Sequence, residues 1–319
     1  MSAGRRLNAD DCSNGRCDIV IKRARTRYGC DAIWLINNAT VADMGIQSVL
    51  IPAEKRAPSS AGRRYSLLLS TDSAHIEAAQ RLRHDVFGSE PGFVLSGRDG
   101  GLDVDRFDEF CDHLLVREED SGELVGCYRM LSPTGAVAAG GLYTATEFDM
   151  RALDSLRPSL VEMGRAVVRH DHRSGAVILV MWADILAYLD HGDYDYVTGC
   201  VSVPVVVDGE PPGTQIRGVR DFVSRRHAAP AGYRVIPRRP VVIDGRPLEE
   251  MAPTARPVIP PLMRGYLRLG ARICGEPAHD PDFGVGDFAA LLDKRRADTR
   301  YLRRLRSASA AAEAAGRVA

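Results

Sequence analysis

The amino-acid sequence predicts an α/β fold with a mixed central sheet and helices on both faces. From residue 65 onward, β-rich runs alternate with stretches whose apolar residues recur at helical spacing. The predicted order is strand, helix, hairpin, strand, helix, strand, helix, strand, which is typical of α/β domains. The chain is 45% hydrophobic and 26% charged, so it has enough apolar residues for a substantial core.

Each predicted element has a local signal. The first strand is "YSLLLS", and the helix "TDSAHIEAAQRLRHDVF" follows with a Thr/Asp/Ser capping cluster at its start. The stretch "HLLVREEDSGELVGCYRML" is a hairpin that turns at Asp-Ser-Gly. The strand "SLVEMGRAVV", a helix over 175–190 and the strand "DYVTGCVSV" come next. A helix over 215–228, the extended stretch "GYRVI", the proline-initiated helix "PPLMRGYLRLGARI" and the strand "DFAALLD" complete the prediction.

Three regions are predicted from composition. Residues 1–64 form a weakly ordered basic extension that could contain a strand or two, residues 65–293 form the folded domain, and residues 294–319 form a basic tail or helix. The net charge is zero, but the 65–293 region carries 23 basic and 34 acidic residues, a net charge of −11. Basic ends on an acidic body favour contact with an anionic surface, although two solvated tails would show the same composition.

Several classes of protein are excluded by what the sequence lacks. It has no apolar run long enough for a membrane span, and no apolar core follows its basic N-terminus as in a secretory signal. Seven cysteines without a framework fit a reducing cytoplasm. The pairs Cys12/Cys17 and His170/His172 lack a second ligand pair at zinc spacing, so no metal is predicted. No G-x-S-x-G elbow supports a serine triad.

Two charged residues lie within the buried strand "SLVEMGRAVV". Glu162 and Arg165 point to opposite faces of a regular strand unless Gly164 bends it. A buried carboxylate costs several kcal/mol unless it is paired, protonated or facing a cleft. Glu162 is therefore a candidate site residue, and an ion pair on an edge strand is the alternative.

The turn "HRSGA" after this strand is a candidate phosphate site. The first amides of a helix are unpaired and favour anions, Arg173 adds charge, Ser174 is a cap, and Gly175 permits close backbone approach. An ordinary Ser-capped helix with a surface arginine is the alternative. Further back, "DVDRFDEFCDH" clusters acids that could attract a cation or an ammonium group, although a solvated loop is the commoner explanation.

The chain resembles the ornithine-lipid N-acyltransferases of bacteria, a branch of the GNAT superfamily related to the acyl-homoserine lactone synthases. The resemblance covers residues 65 to about 305 and excludes the first 64 residues. It is carried in family order by "LRHDVF", "DVDRFDEFCDHLLV", "VGCYRML", "YTATEFDM", "EMGRAVVRHDHRSGAVILVMWADILAYL", "GCVSV" and "PPLMRGYLRLGARICGEPAHDPDFGVGDFAALLD". It implies a GNAT-like fold and transfer of a long, commonly 3-hydroxylated acyl chain from acyl carrier protein to the α-amine of ornithine.

The resemblance also implies roles for residues. Glu162 is the expected catalytic base, acting through a water, and Arg129 or Arg165 is expected to bind the ornithine carboxylate. Asp105 and Asp108 are expected to attract its side-chain ammonium. The motif shared with the homoserine-lactone synthases comprises Arg83, Phe87, Asp105, Asp108, Arg129, Glu162 and Arg165. The phosphopantetheine phosphate of the donor is expected at Arg173, Ser174, Gly175 and Ala176, with the arm between strands that separate over 160–168 and 195–203.

The resemblance implies no tightly bound cofactor, with acyl carrier protein rather than coenzyme A as the favoured donor. The loop departs from the Q/R-x-x-G-x-G/A pattern of coenzyme A users, because His172 stands three residues before Gly175 and Arg173 only two. The expected location is cytoplasmic, peripheral at the inner face of the plasma membrane, with an anionic surface contacted through residues 294–319 and no nucleic acid. The alternatives are a homoserine-lactone synthase, an N-acyltransferase for another amino acid, and a non-catalytic haemolysin-like membrane protein.

Overall fold

The chain divides into two compact units, residues 1–44 and 45–319. The computed structural model describes residues 19–25, 31–37, 63, 65–93, 100–173, 175–298 and 303. In the first unit, strands β1 (Ile19–Arg25) and β2 (Asp31–Asn37) pair antiparallel as a hairpin. The sequence allowed for a strand here, and β2 covers part of the expected stretch.

The second unit is built on an eight-stranded mixed sheet. Seven strands follow the order β12-β14-β8-β7-β5-β4-β3, and β13 pairs with β14. The pairs are antiparallel except for β7 and β8, which are parallel. The strands of this sheet are β3 (Tyr65–Ser70), β4 (Asp112–Glu118), β5 (Leu124–Leu131), β7 (Leu160–Val168), β8 (Tyr196–Pro204), β12 (Arg272–Ile273), β13 (Ala278–Asp280) and β14 (Val285–Asp293).

Six α-helices and two small strand pairs complete the described elements of this unit. The helices are α1 (Ser73–Ser89), α2 (Pro133–Ala138), α3 (Thr144–Glu147), α4 (Gly175–His191), α5 (Thr214–Arg226) and α6 (Pro261–Leu269). The short strands are β6 (Phe148–Asp149), β9 (Ile236–Pro237), β10 (Val242–Ile243) and β11 (Arg246–Pro247), which pair as β6-β9 and β10-β11.

The helices cover both faces of the sheet, as the sequence predicts. Side chains alternate along β4, so Leu114 packs into the main core with α4, whereas Leu115 packs under α1 beside Leu82 and Val86. Each of these residues is at most 8% exposed. The predicted α/β fold with a mixed central sheet is therefore confirmed.

The local signals in the sequence mark the element boundaries well. The Asp72 carboxylate caps α1 by accepting from the amide of Ala74 at 2.9 Å, and Pro261 occupies the first turn of α6, where its missing N–H costs nothing. The predicted hairpin turns at Gly122, whose φ of +70° lies in the left-handed region. The stretch "GYRVI" is only partly extended, because Ala231–Tyr233 form a 3₁₀ turn before β9.

A bulge and a glycine lie where the two central strands, β7 and β8, begin to separate. The pairing of β7 with β5 shifts register near Arg165, whose φ is +53°. Pairing between β7 and β8 ends at Glu162 and Thr198. At Gly199 a side-chain Cβ would lie 2.1 Å from the Met163 carbonyl oxygen, so only glycine permits this approach. Beyond this point the two strands no longer pair and a cavity opens.

The predicted basic tail falls mostly outside the described residues. Residues Lys294–Arg296 form a 3₁₀ turn, and Arg303 is the last residue that the structure describes. Among the described residues, no helix is both long enough and apolar enough to cross a membrane.

Candidate active site

A cavity of about 640 Å³ lies where β7 and β8 separate. Apolar side chains from β7, α4 and α6 line much of it, among them Met163, Met181, Trp182 and Leu262. Its charged and polar lining residues are Glu90, Cys111, Tyr128, Arg129, Tyr143, Thr144, Glu162, Arg165, Arg173, Cys200, Ser202, Gln215, Asp280 and Asp287. An apolar cavity with a few converging polar groups suits an extended hydrocarbon chain attached to a reactive polar head.

Glu162 lies in this cavity wall and is 4% exposed. Its two carboxylate oxygens accept hydrogen bonds from the amide nitrogens of Tyr143 at 2.6 Å and Thr144 at 2.7 Å. Burial raises the pKa of the carboxyl group, and these amide bonds oppose the rise. The site therefore offers a fixed, partly desolvated carboxylate, which is a better proton acceptor than an exposed glutamate.

The strand bulge explains how Glu162 and Arg165 can face the same cavity. On a regular strand residues 162 and 165 would point to opposite faces. The bulge at Arg165 resets that alternation, and both side chains line the cavity. Arg165 also stacks over the rings of Tyr143 and Phe283, with centroid distances of 5.1 and 4.8 Å. The alternative of an edge-strand ion pair does not hold, because β7 is central and Glu162 accepts from backbone amides.

Buried arginines and aspartates form one connected group beside the cavity, which we call the arginine-balanced cluster. Its members are Arg83, Asp103, Asp105, Asp108, Arg129 and Arg165. Arg129 Nη1 lies 2.6 Å from Asp105 Oδ1 and 3.0 Å from Asp108 Oδ1. The sequence favoured a solvated loop for these acids, and that interpretation is wrong because Asp103 and Asp108 are 0% and 3% exposed.

The arginines decide the charge of these aspartates. Burial alone would raise the pKa of Asp108, but Arg83 and Arg129 outweigh it and hold the pKa well below its usual range. In the same way, Arg129 and Arg165 outweigh burial and lower the pKa of Asp105. The cluster therefore contains three arginines beside three aspartates, and the lowered pKa values keep Asp105 and Asp108 ionised.

The predicted site residues fall into two groups. Phe87, Arg129, Glu162, Arg165 and Arg173 line the cavity. By contrast, the remaining predicted motif residues lie behind its wall, among the residues that the structure describes: Arg83 is wholly buried, and Asp105 and Asp108 are held by arginines. Their direct contact with a substrate stays a prediction, and we propose that they position Arg129 and Arg165.

The predicted phosphate turn lies at the start of α4. Arg173 donates from Nε to the Val168 carbonyl oxygen at 2.9 Å and from Nη2 to Glu90 Oε2 at 2.6 Å. The helix begins at Gly175, which leaves the first amides of a 17-residue helix without intrahelical partners. Ser174 lies outside the described residues, as do the side-chain surroundings of Ala176.

A second group of acids lies at the cavity and was missed from the sequence. Ser202 donates to Asp287 Oδ1 at 2.6 Å, and the Cys200 thiol contacts Glu147 Oε2 at 3.7 Å. Burial and the neighbouring Asp287 raise the pKa of Glu147 to about 10. The pKa of Asp287 is raised as well, chiefly by burial. The one signal in the sequence was an aspartate inside an otherwise apolar strand, "DFAALLD".

This second group could also offer ligand atoms to a metal. Glu147, Cys200 and Asp287 each place one such atom within 4.8 Å of the others, and they are the one group of this kind among the described residues. Burial raises the pKa of the Cys200 thiol well above its usual value. A metal ion would need the thiolate and both carboxylates ionised, against these pKa shifts. The prediction that no metal is bound stays a prediction.

Comparison with known proteins identifies the family. Residues 82–183 match the family model described as Acetyltransferase (GNAT) domain. The chain is 33% identical to a protein of Brucella abortus over 246 residues, which cover 73% of this chain and 86% of that protein. It is 34% identical to a protein of Rhizobium meliloti over 250 residues, covering 73% and 81% respectively. Both proteins are named L-ornithine N(alpha)-acyltransferase.

Solved structures with a similar fold are more distant. The AHL synthase LasI aligns with a TM-score of 0.44 at 13% identity, covering 77% of this chain and 96% of that one. The CoA-dependent acyl-homoserine lactone synthase BjaI aligns with a TM-score of 0.44 at 18% identity, covering 79% and 100%. Likeness at this level assigns no function. The identity and coverage of the sequence relatives do assign one family, and the chain belongs to the L-ornithine N(alpha)-acyltransferases of the GNAT superfamily.

Proposed function

We propose that this protein transfers a long 3-hydroxyacyl chain from acyl carrier protein to the α-amine of L-ornithine, the first step of ornithine lipid synthesis. Its family membership supports ornithine as the acceptor. The observation that carries the mechanism is the buried carboxylate of Glu162 in the wall of a cavity that opens between two central strands. The donor and the residue roles below are part of the proposal.

The reaction needs proton removal and positioning, because a thioester is already activated. The acceptor enters as an α-ammonium group and loses a proton, through a water, to Glu162. The free amine attacks the thioester carbonyl, and a C–N bond forms while the C–S bond breaks. The nitrogen loses its second proton to the departing thiolate, and Glu162 releases the first proton to solvent, which leaves an amide and a free thiol. The raised pKa of Glu162 favours its role as the proton acceptor.

Two arginines suit recognition of the acceptor carboxylate. Arg129 and Arg165 line the cavity close to Glu162, and the aspartates behind them fix their guanidinium groups. A guanidinium can bind a carboxylate through two parallel hydrogen bonds. Such binding would orient the α-amine towards Glu162, and reaction between oriented groups is much faster than reaction between free ones.

The donor arm is proposed to enter beside α4. The unpaired amides from Gly175 onward, together with Arg173, suit a phosphate group, and Ser174 is the cap that the sequence predicts. Arg173 is bound by Glu90 in this structure, so a donor phosphate would compete with that carboxylate. The apolar walls beyond, including Met181 and Trp182, suit the acyl chain. Contact between residues 294–319 and an anionic membrane surface rests on charge alone and stays a prediction.

The test is lipid mass spectrometry on cells that express the full chain, its Glu162→Gln variant, or the control Glu77→Gln. Glu77 is exposed on α1, so the control removes one charge far from the cavity. We expect a new acyl-ornithine lipid with the wild type and the control, and its loss with Glu162→Gln. With purified 3-hydroxyacyl carrier protein, turnover of Glu162→Gln should fall by roughly 10²- to 10⁴-fold, as for a general base.

Each other outcome changes the assignment. Turnover equal to wild type in a folded Glu162→Gln variant removes Glu162 from the base role. A different acyl-amino acid keeps the mechanism and changes the acceptor, and an acyl-homoserine lactone indicates a signal synthase. Absence of any acylated product from the folded wild type, with the donor supplied, supports a non-catalytic protein.

A further inference from the structure

We propose that Glu147 and Asp287 bind the side-chain ammonium of the acceptor and thereby select ornithine over amino acids with uncharged side chains. This inference rests on the proposed function, because it names the determinant of acceptor choice within the same cavity. It reassigns a role that the sequence gave to Asp105 and Asp108.

Asp287 lines the same cavity as the proposed base, and Glu147 lies next to Asp287. Side chains two residues apart lie on the same face of a strand, so Thr198, Cys200 and Ser202 follow one face of β8. Glu162 pairs across from Thr198, and Asp287 pairs across from Ser202. Asp287 lines the cavity, and a carboxylate oxygen of Glu147 lies within 4.8 Å of one of Asp287. The base and Asp287 therefore lie along the same face of β8, with the position of Cys200 between them.

A short chain of contacts links the two positions. The backbone amide of Thr144 donates to Glu162 Oε1 at 2.7 Å. The side-chain hydroxyl oxygen of Thr144 lies 3.7 Å from Cys200 Sγ. The same sulfur lies 3.7 Å from Glu147 Oε2. Two residues, Thr144 and Cys200, therefore link the base to the pair through direct contacts.

The pair offers more acceptors than donors. Oε1 of Glu147 is buried, and no described residue forms a hydrogen bond with it. Asp287 is 3% exposed, and Asp280, a third carboxylate, lines the cavity beside it. A buried carboxylate oxygen without a donor carries a desolvation cost that a ligand donor would remove. A primary ammonium group supplies three N–H donors and a positive charge, which match this need.

The arginine-balanced cluster does not have this capacity. Asp105 and Asp108 are ion-paired with Arg129, and Asp108 is also paired with Arg83. The charge of Arg165 opposes the rise in the pKa of Asp287, but Arg165 is itself paired with Asp103 and Asp105. By contrast, no arginine or lysine in the described part of the chain forms an ion pair with Glu147 or Asp287.

The experiment compares two acceptors that differ only in the side-chain ammonium. Purified full-length protein is assayed with 3-hydroxyacyl carrier protein and either L-ornithine or L-norvaline, which has the same carbon chain without the terminal amine. We expect Asp287→Asn to lower the ornithine-to-norvaline ratio of kcat/KM by roughly 10- to 100-fold, the range for a hydrogen bond to a charged group. Most of the change should be in KM for ornithine.

Two further variants make the result decisive. Glu147→Gln alters the same pair from a different element and should lower the ratio as Asp287→Asn does, whereas the surface control Glu77→Gln should leave it unchanged. An unchanged ratio in either folded variant overturns the inference. Loss of the wild-type ornithine preference on adding EDTA, with recovery on adding Zn²⁺ or Mg²⁺, would show that the pair binds a metal and would also overturn it. Failure of the wild type to acylate ornithine would instead contradict the proposed function.

Discussion

The cavity borders two groups of buried carboxylates that differ in one respect: the described arginines form ion pairs with one group and not with the other. In the arginine-balanced cluster, Asp105 and Asp108 have lowered pKa values because arginines outweigh burial. In the pair Glu147 and Asp287, burial and the neighbouring acids dominate, and the pKa values are raised. The same residue types at similar burial therefore hold opposite protonation preferences.

The difference shows that burial alone does not decide whether the pKa of a carboxyl group is raised or lowered. Four ion pairs with fixed geometry make the balanced cluster a rigid support for Arg129 and Arg165. The pair Glu147 and Asp287 cannot ionise fully without a cation from outside, which is a property of a binding site. Substitutions in the two groups should therefore have opposite effects on stability.

Breaking the balanced cluster should produce the largest effect. Asp108→Ala leaves Arg83 and Arg129 buried without one of their partners, and we expect the free energy of unfolding to fall by about 3–5 kcal/mol. Urea denaturation at neutral pH measures this loss. The exposed pair Glu77–Arg81 is the control, because Glu77→Ala should cost about 1 kcal/mol or less. A loss for Asp108→Ala no larger than that would contradict the proposed support role.

Acid should weaken the balanced cluster with a definite sign. The folded-state pKa values of Asp105 and Asp108 are lowered, so the stability they contribute is present above the unfolded value, about 4, and is lost as the pH falls below it. We expect the free energy of unfolding to drop by about 1–3 kcal/mol between pH 5 and pH 3. Urea denaturation across this range should show a smaller drop in Asp105→Asn. An equal drop in both proteins would assign the acid sensitivity to other groups.

Relieving the carboxylate pair should produce the smallest effect, in the opposite direction. Asp287→Asn removes an acid whose ionised form is opposed by burial, and an asparagine oxygen can still accept from Ser202. We expect the free energy of unfolding at neutral pH to rise by about 1 kcal/mol. Thermal unfolding of the variant without substrate measures this change. A clear decrease in the free energy of unfolding would show that Asp287 stabilises the fold, which would contradict its assignment as a ligand-binding residue.

Much of the fold follows from local patterns. Capping at Asp72, the turn at Gly122 and the proline at the start of α6 each act within a few residues, and the structure agrees with all three. The segment between β5 and β7 was not resolved from the sequence into α2, α3 and a 3₁₀ helix (Arg151–Ser159). These elements are short, so their periodic signal is weak.

The site was only partly predictable. Glu162 was identified because burying a carboxylate in an apolar strand is energetically costly, and the apolar residues beside it in the sequence reveal that burial. Glu147 and Asp287 were not, since they lie far apart in the chain and only the pairing of β8 with β14 brings the second to the cavity. The residues that flank Glu147 in the sequence do not indicate Asp287, and those that flank Asp287 do not indicate Glu147.

The sequence by itself determined the types of the longer elements, the alternation of buried faces and the family, because each of these depends on residues close in the chain or on matched motifs. Only the tertiary structure decided which acids would be charged. An aspartate stays ionised in the interior when an arginine from another element reaches it, as Arg129 on β5 reaches Asp105. It becomes a proton-sharing partner when another acid does, as Glu147 meets Asp287. That choice depends on contacts across the sheet, which local sequence does not encode.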